Sequence, residues 1–170
     1  EHLDDTVKSP DEMKALTGMT TLGSVLRYQG RDGLTPITLG EEHRHSAVAE
    51  SYKFLRTNLQ FAALSTRGFR TLLVTSASPE EGKTTTAANL AISIAREGKS
   101  VILVDTDLRK PALHRLFDLK DQKGLTHLIL GDAGLEEVMA STAVDGLKVI
   151  PSGPVPPDAT FVLGSLKMRE

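Results

Sequence analysis

One junction constrains this chain more than any other. The apolar run R-T-L-L-V-T-S (Arg70–Ser76) breaks into A-S-P-E-E-G, and Lys83 then opens a helical pattern. A short apolar run ending in small residues reads as a buried strand. From Lys83 to Glu97 the residues Ala87, Leu90, Ala91, Ile94 and Ala95 share one helical face, and Gly98 supplies the stop. Strand, tight loop and helix in that order aim the unpaired amides and the positive dipole end of the helix beyond the strand's carboxyl end. The loop itself folds further N–H groups around the same point. The junction thus predicts an α/β layered domain with an anion site at the edge of its sheet.

The residues at the junction specify the anion. Gly82-Lys83-Thr84 is the end of the phosphate-loop pattern G-x-x-x-x-G-K-[ST]. In that chemistry the Lys83 ammonium meets outer phosphates, the Thr84 hydroxyl reaches Mg²⁺, and Pro79, Glu80, Glu81, Gly82 and Thr85 line the cradle. The first glycine of the pattern is replaced by Ala77, which cannot take a positive φ cheaply. A bland alternative is a helix with a Gly-Lys start and exposed threonines. Three consecutive threonines are poor helix formers, so their presence at a helix start argues that the hydroxyls are used.

A second cluster, V-I-L-V-D-T-D-L-R-K-P, ends the next apolar run. Asp105 lies where this strand leaves the sheet, with Asp107 and Arg109 just beyond. Two carboxylates at alternate positions can reach one hard cation. L-K-V-I-P-S-G reads as a third strand, and P-A-L-H-R-L-F, G-L-T-H-L-I-L-G and G-L-E-E-V-M-A as short helices between them. Strands alternating with helices imply parallel pairing, with ligands beyond the carboxyl strand ends, where both clusters fall.

Upstream, Ser9, Pro10 and Glu12 form a cap, first-turn proline and capping partner for a short helix. Val48, Tyr52, Leu55, Leu59 and Ala62 form one face of a longer helix. Between them lies a Gly- and Pro-broken loop. Its His43 and His45, beside Glu41 and Glu42, read as solvated rather than metal-binding. Net charge is −2, which gives no support for nucleic-acid binding. Cysteine is absent, so thiolate metal sites and disulfides are excluded. No apolar run approaches the roughly 20 residues of a membrane helix.

The quoted motifs resemble the bacterial tyrosine kinases of polysaccharide export, the BY-kinases, over nearly the whole chain. E-S-Y-K-F-L-R is similar to that family's E-x-x-R-x-x-R helix, S-A-S-P-E-E-G-K-T-T-T to its Walker A loop, and V-I-L-V-D-T-D-L-R-K-P to its Walker A′ motif. The resemblance implies a P-loop NTPase-like, mostly parallel sheet with flanking helices, and an ATP- and Mg²⁺-dependent protein-tyrosine (auto)kinase. Lys83 would hold the β- and γ-phosphates. Thr84, Asp105 and Asp107 would serve the metal, and Asp105 would also help to activate the attacking tyrosine. Glu50 and Arg56 would belong to the subunit-contact helix of a ring-shaped homo-oligomer. The implied partners are a membrane and periplasmic chain-length-determinant region of the same protein and a tyrosine-containing substrate. The implied place is the cytoplasmic face of the bacterial inner membrane.

Residues 1–45 then read as a juxtamembrane linker and 46–170 as the N-terminal part of the kinase domain. The family's Walker B strand and tyrosine-rich tail would fall beyond Glu170, so both ends read as cut from something longer and the piece alone as inactive. Lys53 replaces the first arginine of the helix motif, keeping charge without the bidentate fork. P-P-D-A-T-F-V-L-G-S-L replaces a more proline-rich stretch. Tyr28 and Tyr52 are the only tyrosines, and Tyr52 faces the core side of its helix. Two alternatives stand beside the kinase: a ParA/MinD-like ATPase switch, and a non-catalytic ATP-binding fragment. Ser78 occupies the position of the ParA/MinD signature lysine, which argues against the first.

Overall fold

The structure is a computed structural model that describes residues 7, 9–26, 45–64, 68, 70–119 and 122–169. Tyr28, Glu41, Glu42 and His43 lie outside the described residues.

Helix α1 (Pro10–Thr17) begins as expected: the Ser9 hydroxyl accepts from the Glu12 amide, Pro10 opens the first turn, and Gly18 ends the helix in the left-handed region. Helix α2 (Ala47–Leu64) buries Val48, Tyr52 and Leu59 and half-buries Leu55, whereas Ala62 is exposed. Helix α3 (Lys83–Ala95) buries Leu90, Ala91 and Ala95 of the expected face and leaves Ala87 and Ile94 half-buried. Asn89, Ile92 and Ser93 are buried as well, because α2 packs on one side of α3 and the sheet on the other.

The sheet has the order β1-β3-β2. Strands β1 (Val101–Val104) and β3 (Leu147–Ile150) run parallel, in the register Val101 opposite Leu147 through Val104 opposite Ile150. The short β2 (Ala140–Ser141) joins β3 antiparallel, an element the sequence pattern did not announce. Between β1 and β2 lie α4 (Leu113–Leu116), α5 (Leu125–Leu130) and α6 (Leu135–Val138). Helix α7 (Ala159–Leu163) and a 3₁₀ turn at Leu166–Met168 follow β3.

Side chains alternate across a strand, and the core divides accordingly. Leu147 and Val149 pack with Ala88, Ala91 and Ile92 of α3 and with Leu113 and Leu116 of α4. Ile150, on the opposite face, packs with Leu125, Ile129, Val138 and Val162 from α5, α6 and α7. Burying a side chain such as Ile92 or Val149 stabilises the fold by roughly 1.5–3 kcal/mol. That second face stays bare at β1, where Ile102 is 54% exposed.

One expected element is corrected. Residues 71–76 form no strand, and Leu73 is 78% exposed. A strand exists only through a hydrogen-bonded neighbour, and among the described residues none pairs with this segment: β1 is an edge whose single partner is β3.

Candidate functional site

The loop that precedes α3 is built by its backbone. Gly82 stands at the helix start with φ 86° and ψ 18°, and no side chain caps the first turn. A Cβ there would meet nothing within 4 Å, so conformation rather than space demands glycine. Glu80 also takes a positive φ, 65°, at a cost to a non-glycine residue of roughly 1 kcal/mol or more. Ala77 takes none. Position 77 therefore asks for no positive φ, and alanine is tolerated there.

Inside the loop, the Ser78 amide donates to Glu81 Oε2 (3.1 Å) and the Ser76 hydroxyl donates to the Ser78 carbonyl (2.8 Å). The Glu81 carboxylate is thereby folded back into the loop, while that of Glu80 points to solvent, 3.8 Å from Lys110 Nζ. Pro79 has no N–H and contributes shape alone. Donors to an anion begin at Glu80.

The two carboxylates separate into different roles. Asp107 Oδ2 lies 3.1 Å from Lys83 Nζ, while its Oδ1 accepts from the amides of Lys110 (3.0 Å) and Arg109 (3.3 Å). The Lys110 amide first, then the Lys83 ammonium and the Arg109 amide, hold this carboxyl below its usual range against an opposing effect of burial. Asp105 is buried, and backbone amides take up its oxygens. Oδ2 accepts from Ala112 and Leu113, each at 3.0 Å, and Oδ1 from Asp107 at 3.2 Å. Asp105 therefore fixes the turn that presents Asp107 and starts α4. Thr84 and Thr85 are half-buried in the first turn of α3, and no hydrogen bond joins Thr84 to either carboxylate. Arg109 reaches out to the Thr160 hydroxyl of α7 at 3.4 Å.

Among the described residues no three His, Asp or Glu side chains converge as an all-protein metal cage. The donor set present, one hydroxyl and one accessible carboxylate beside an anion cradle, is the kind that Mg²⁺ uses when phosphate oxygens and water complete its shell. The residues therefore fit a metal–nucleotide complex.

Sequence reasoning missed the polar seam between α2 and α3. Tyr52, Arg56 and Gln60, one helical turn apart, face Thr86, Asn89, Ser93 and Glu97. Burial raises the pKa of the Tyr52 hydroxyl, against smaller opposing effects of the neighbouring Thr86 and Asn89 side chains. Asn89 Nδ2 donates to the Thr85 carbonyl at 2.8 Å. Arg56 donates to the carbonyl (3.0 Å) and hydroxyl (3.1 Å) of Ser93 and pairs with Glu97 at 2.6 Å. Gln60 donates to the other Glu97 oxygen at 3.0 Å. Arg56, expected at a subunit contact, is thus mostly turned into its own chain. Glu50 is exposed and pairs with Lys53 at 2.6 Å. The signal was available: polar residues at i and i+4 on otherwise apolar helix faces.

No helix among the described residues is long and apolar enough to cross a membrane. Residues 80–163 match the AAA domain family. The tyrosine-protein kinase YwqD of Bacillus subtilis is 43% identical over 74% of this chain and 52% of its own length. The tyrosine-protein kinase etk of Escherichia coli K12 is 33% identical over 78% of this chain and 18% of its own. This chain thus spans about half the length of the first relative and under a fifth of the second. Among solved structures, the BceF tyrosine kinase domain superposes with a TM-score of 0.82 at 29% identity, covering 95% of this chain and 69% of that one. The kinase domain of Escherichia coli ETK gives 0.81 at 26% identity, covering 95% and 65%.

Proposed function

The chain belongs to the bacterial tyrosine-protein kinases, and on that footing we propose that it holds the ATP site of a protein-tyrosine autokinase that regulates capsular or exopolysaccharide polymerisation and export. The carrying observation is the Lys83–Asp107 pair at the uncapped start of α3, at the loop where Glu80 and Gly82 turn left-handed. Amides from Glu80 to Thr85 and the Lys83 ammonium would hold the outer phosphates of ATP. Thr84 and Asp107 would hold Mg²⁺, which when bound neutralises charge as the phosphoryl group moves. Asp105, filled by backbone amides, would keep Asp107 in place. The bond from γ-phosphorus to the β–γ bridging oxygen would break as one to a tyrosine oxygen forms, the phenolic proton passing to solvent or to the transferred phosphoryl group as ADP leaves.

The same footing supports a ring-shaped homo-oligomer built through α2, at the cytoplasmic face of the bacterial inner membrane. Its other partners would be a membrane and periplasmic chain-length-determinant region and a tyrosine-bearing protein substrate. Because Arg56 is engaged with α3, the part of α2 offered to a neighbour would be its exposed surface at Glu50, Lys53 and Phe54. Residues 46–170 form the kinase part in this proposal and residues 1–45 its linker.

The test is calorimetric binding of ATP with Mg²⁺, followed by anti-phosphotyrosine blotting of the protein as encoded. Wild type should bind, and Lys83→Ala should bind at least about tenfold more weakly, the order expected when a charge-assisted contact is lost. Equal affinity in the two proteins would overturn the proposed site.

A further inference from the structure

We propose that Asp107 makes the site selective for the metal complex of a nucleotide over the metal-free form, because in the empty site its carboxylate occupies Lys83. The inference concerns the regulation of the proposed nucleotide site and rests on that reading. Its ground is the way the carboxylate is divided. Oδ1 accepts from the amides of Lys110 and Arg109, at 3.0 and 3.3 Å, which fix the group to its turn. Oδ2 meets Lys83 Nζ at 3.1 Å. The lysine has a flexible four-carbon stem and the aspartate a clamped head, so the ammonium can turn to a ligand while the carboxylate stays. Any anion that reaches Lys83 thus arrives beside a fixed negative charge.

Exposure decides which ion pair at the loop matters. The side chains of Lys83 and Asp107 are 31% and 24% exposed, so solvent screens them only in part. Lys110 and Glu80, 3.8 Å apart, are 74% and 85% exposed, and a pair so open contributes little. A metal-free nucleotide brings its full phosphate charge to a lysine that Asp107 already neutralises. It must draw Lys83 away from a carboxylate that remains beside it, and like charges at that range repel. A nucleotide carried with a divalent cation brings less negative charge, and the clamped carboxylate then faces a cation that oxygen ligands favour. The same side chain opposes one form of the ligand and favours the other.

The experiment measures calorimetric affinities of the protein as encoded for ADP in two arms, one with excess EDTA and one with excess Mg²⁺. Asp107→Asn keeps an oxygen for the Arg109 and Lys110 amides and removes the charge. It should bind metal-free ADP about tenfold more tightly than wild type and MgADP about tenfold more weakly, the order that one charge-assisted contact contributes. The preference for the metal complex should thereby shrink by about a hundredfold. Glu97→Gln removes an equal charge from an ion pair at the far end of α3, about 20 Å from Lys83 by helix rise and beyond a Debye length. It should move both affinities by less than about twofold. If Asp107→Asn shifts both forms in the same direction, or weakens MgADP and leaves metal-free ADP unchanged, Asp107 does not discriminate and the inference is overturned. If wild type binds ADP in neither arm, the nucleotide reading itself falls, a result that the wild-type traces alone tell apart. Should Asp107→Asn not fold, Asp107→Ser, whose hydroxyl can also accept from those amides, makes the same comparison.

Discussion

At the scale of single residues, the Lys83–Asp107 pair carries a pH signature. The carboxyl of Asp107 is held below its ordinary 3.8, chiefly by the Lys110 amide and then by Lys83. The unfolded chain therefore takes up this proton more readily than the folded one. The stabilisation is complete above the ordinary value and is lost as the pH falls through the lower folded value. Asp107→Asn can still accept from the Arg109 and Lys110 amides but loses the charge facing Lys83. It should cost about 1 kcal/mol near neutrality, a figure reduced for partial solvent screening. Urea midpoints of both proteins, compared from about pH 7 down to about pH 2, should converge in acid. A gap that stays constant over that range would count against the pairing. The helix start at Gly82-Lys83 was legible in the sequence because it depends on neighbours in the chain. The division between Asp105 and Asp107 was not. It is set by a turn that brings the amides of Ala112 and Leu113 back onto Asp105, and D-x-D alone does not say which carboxylate they will meet.

At the scale of elements, local patterns were read well and their meeting points were not. G-L-T-H-L-I-L-G announces a helix and L-K-V-I-P-S-G a strand, yet their junction holds one side of the core. The Leu125 amide donates to the Pro151 carbonyl (2.8 Å), and the amide and hydroxyl of Thr126 both donate to the Ser152 carbonyl (2.9 and 2.8 Å). A Cβ on Gly124 would stand 2.3 Å from both the Pro151 oxygen and the Gly153 nitrogen. Those are backbone atoms, so the strands of chain must part and the bonds with them. Gly124→Ala should destabilise by about 2–3 kcal/mol. At Gly134, which also precedes a helix at φ −80°, the nearest atom to a Cβ is a Glu137 side-chain oxygen at 3.6 Å. Gly134→Ala should change stability by less than about 0.5 kcal/mol. Thermal melts of the two variants would show the contrast, and equal shifts would remove the steric account. The strand expected at Arg70–Ser76 failed for the complementary reason. Apolar composition declares that a segment seeks burial, but a ladder needs a second backbone, and composition is silent about where that backbone lies.

At the scale of the molecule, the layers are unevenly finished. Helix α3 is covered by α2 and the sheet, and the end of β3 is covered by α5, α6 and α7. The outer face of β1 and the segment at 71–76 are not. Leu72, Leu73, Ile102 and Val104 are exposed together with Phe161 and Leu166. β1 also offers a hydrogen-bonding edge among the described residues, a template for pairing with other chains. Half-covered apolar layers contribute less to the difference in area between folded and unfolded chains. The slope of urea unfolding, which follows that area, should then fall at the low end of the roughly 1–3 kcal/mol/M found for small domains. Light scattering should rise with protein concentration. Ile102→Thr, polar yet suited to a strand, should reduce that scattering while shifting the urea midpoint by less than about 0.5 kcal/mol equivalent, because the side chain it alters is already in water. A steep, concentration-independent transition for the 170-residue chain would show instead that α2, α3 and the three strands close a sufficient core by themselves.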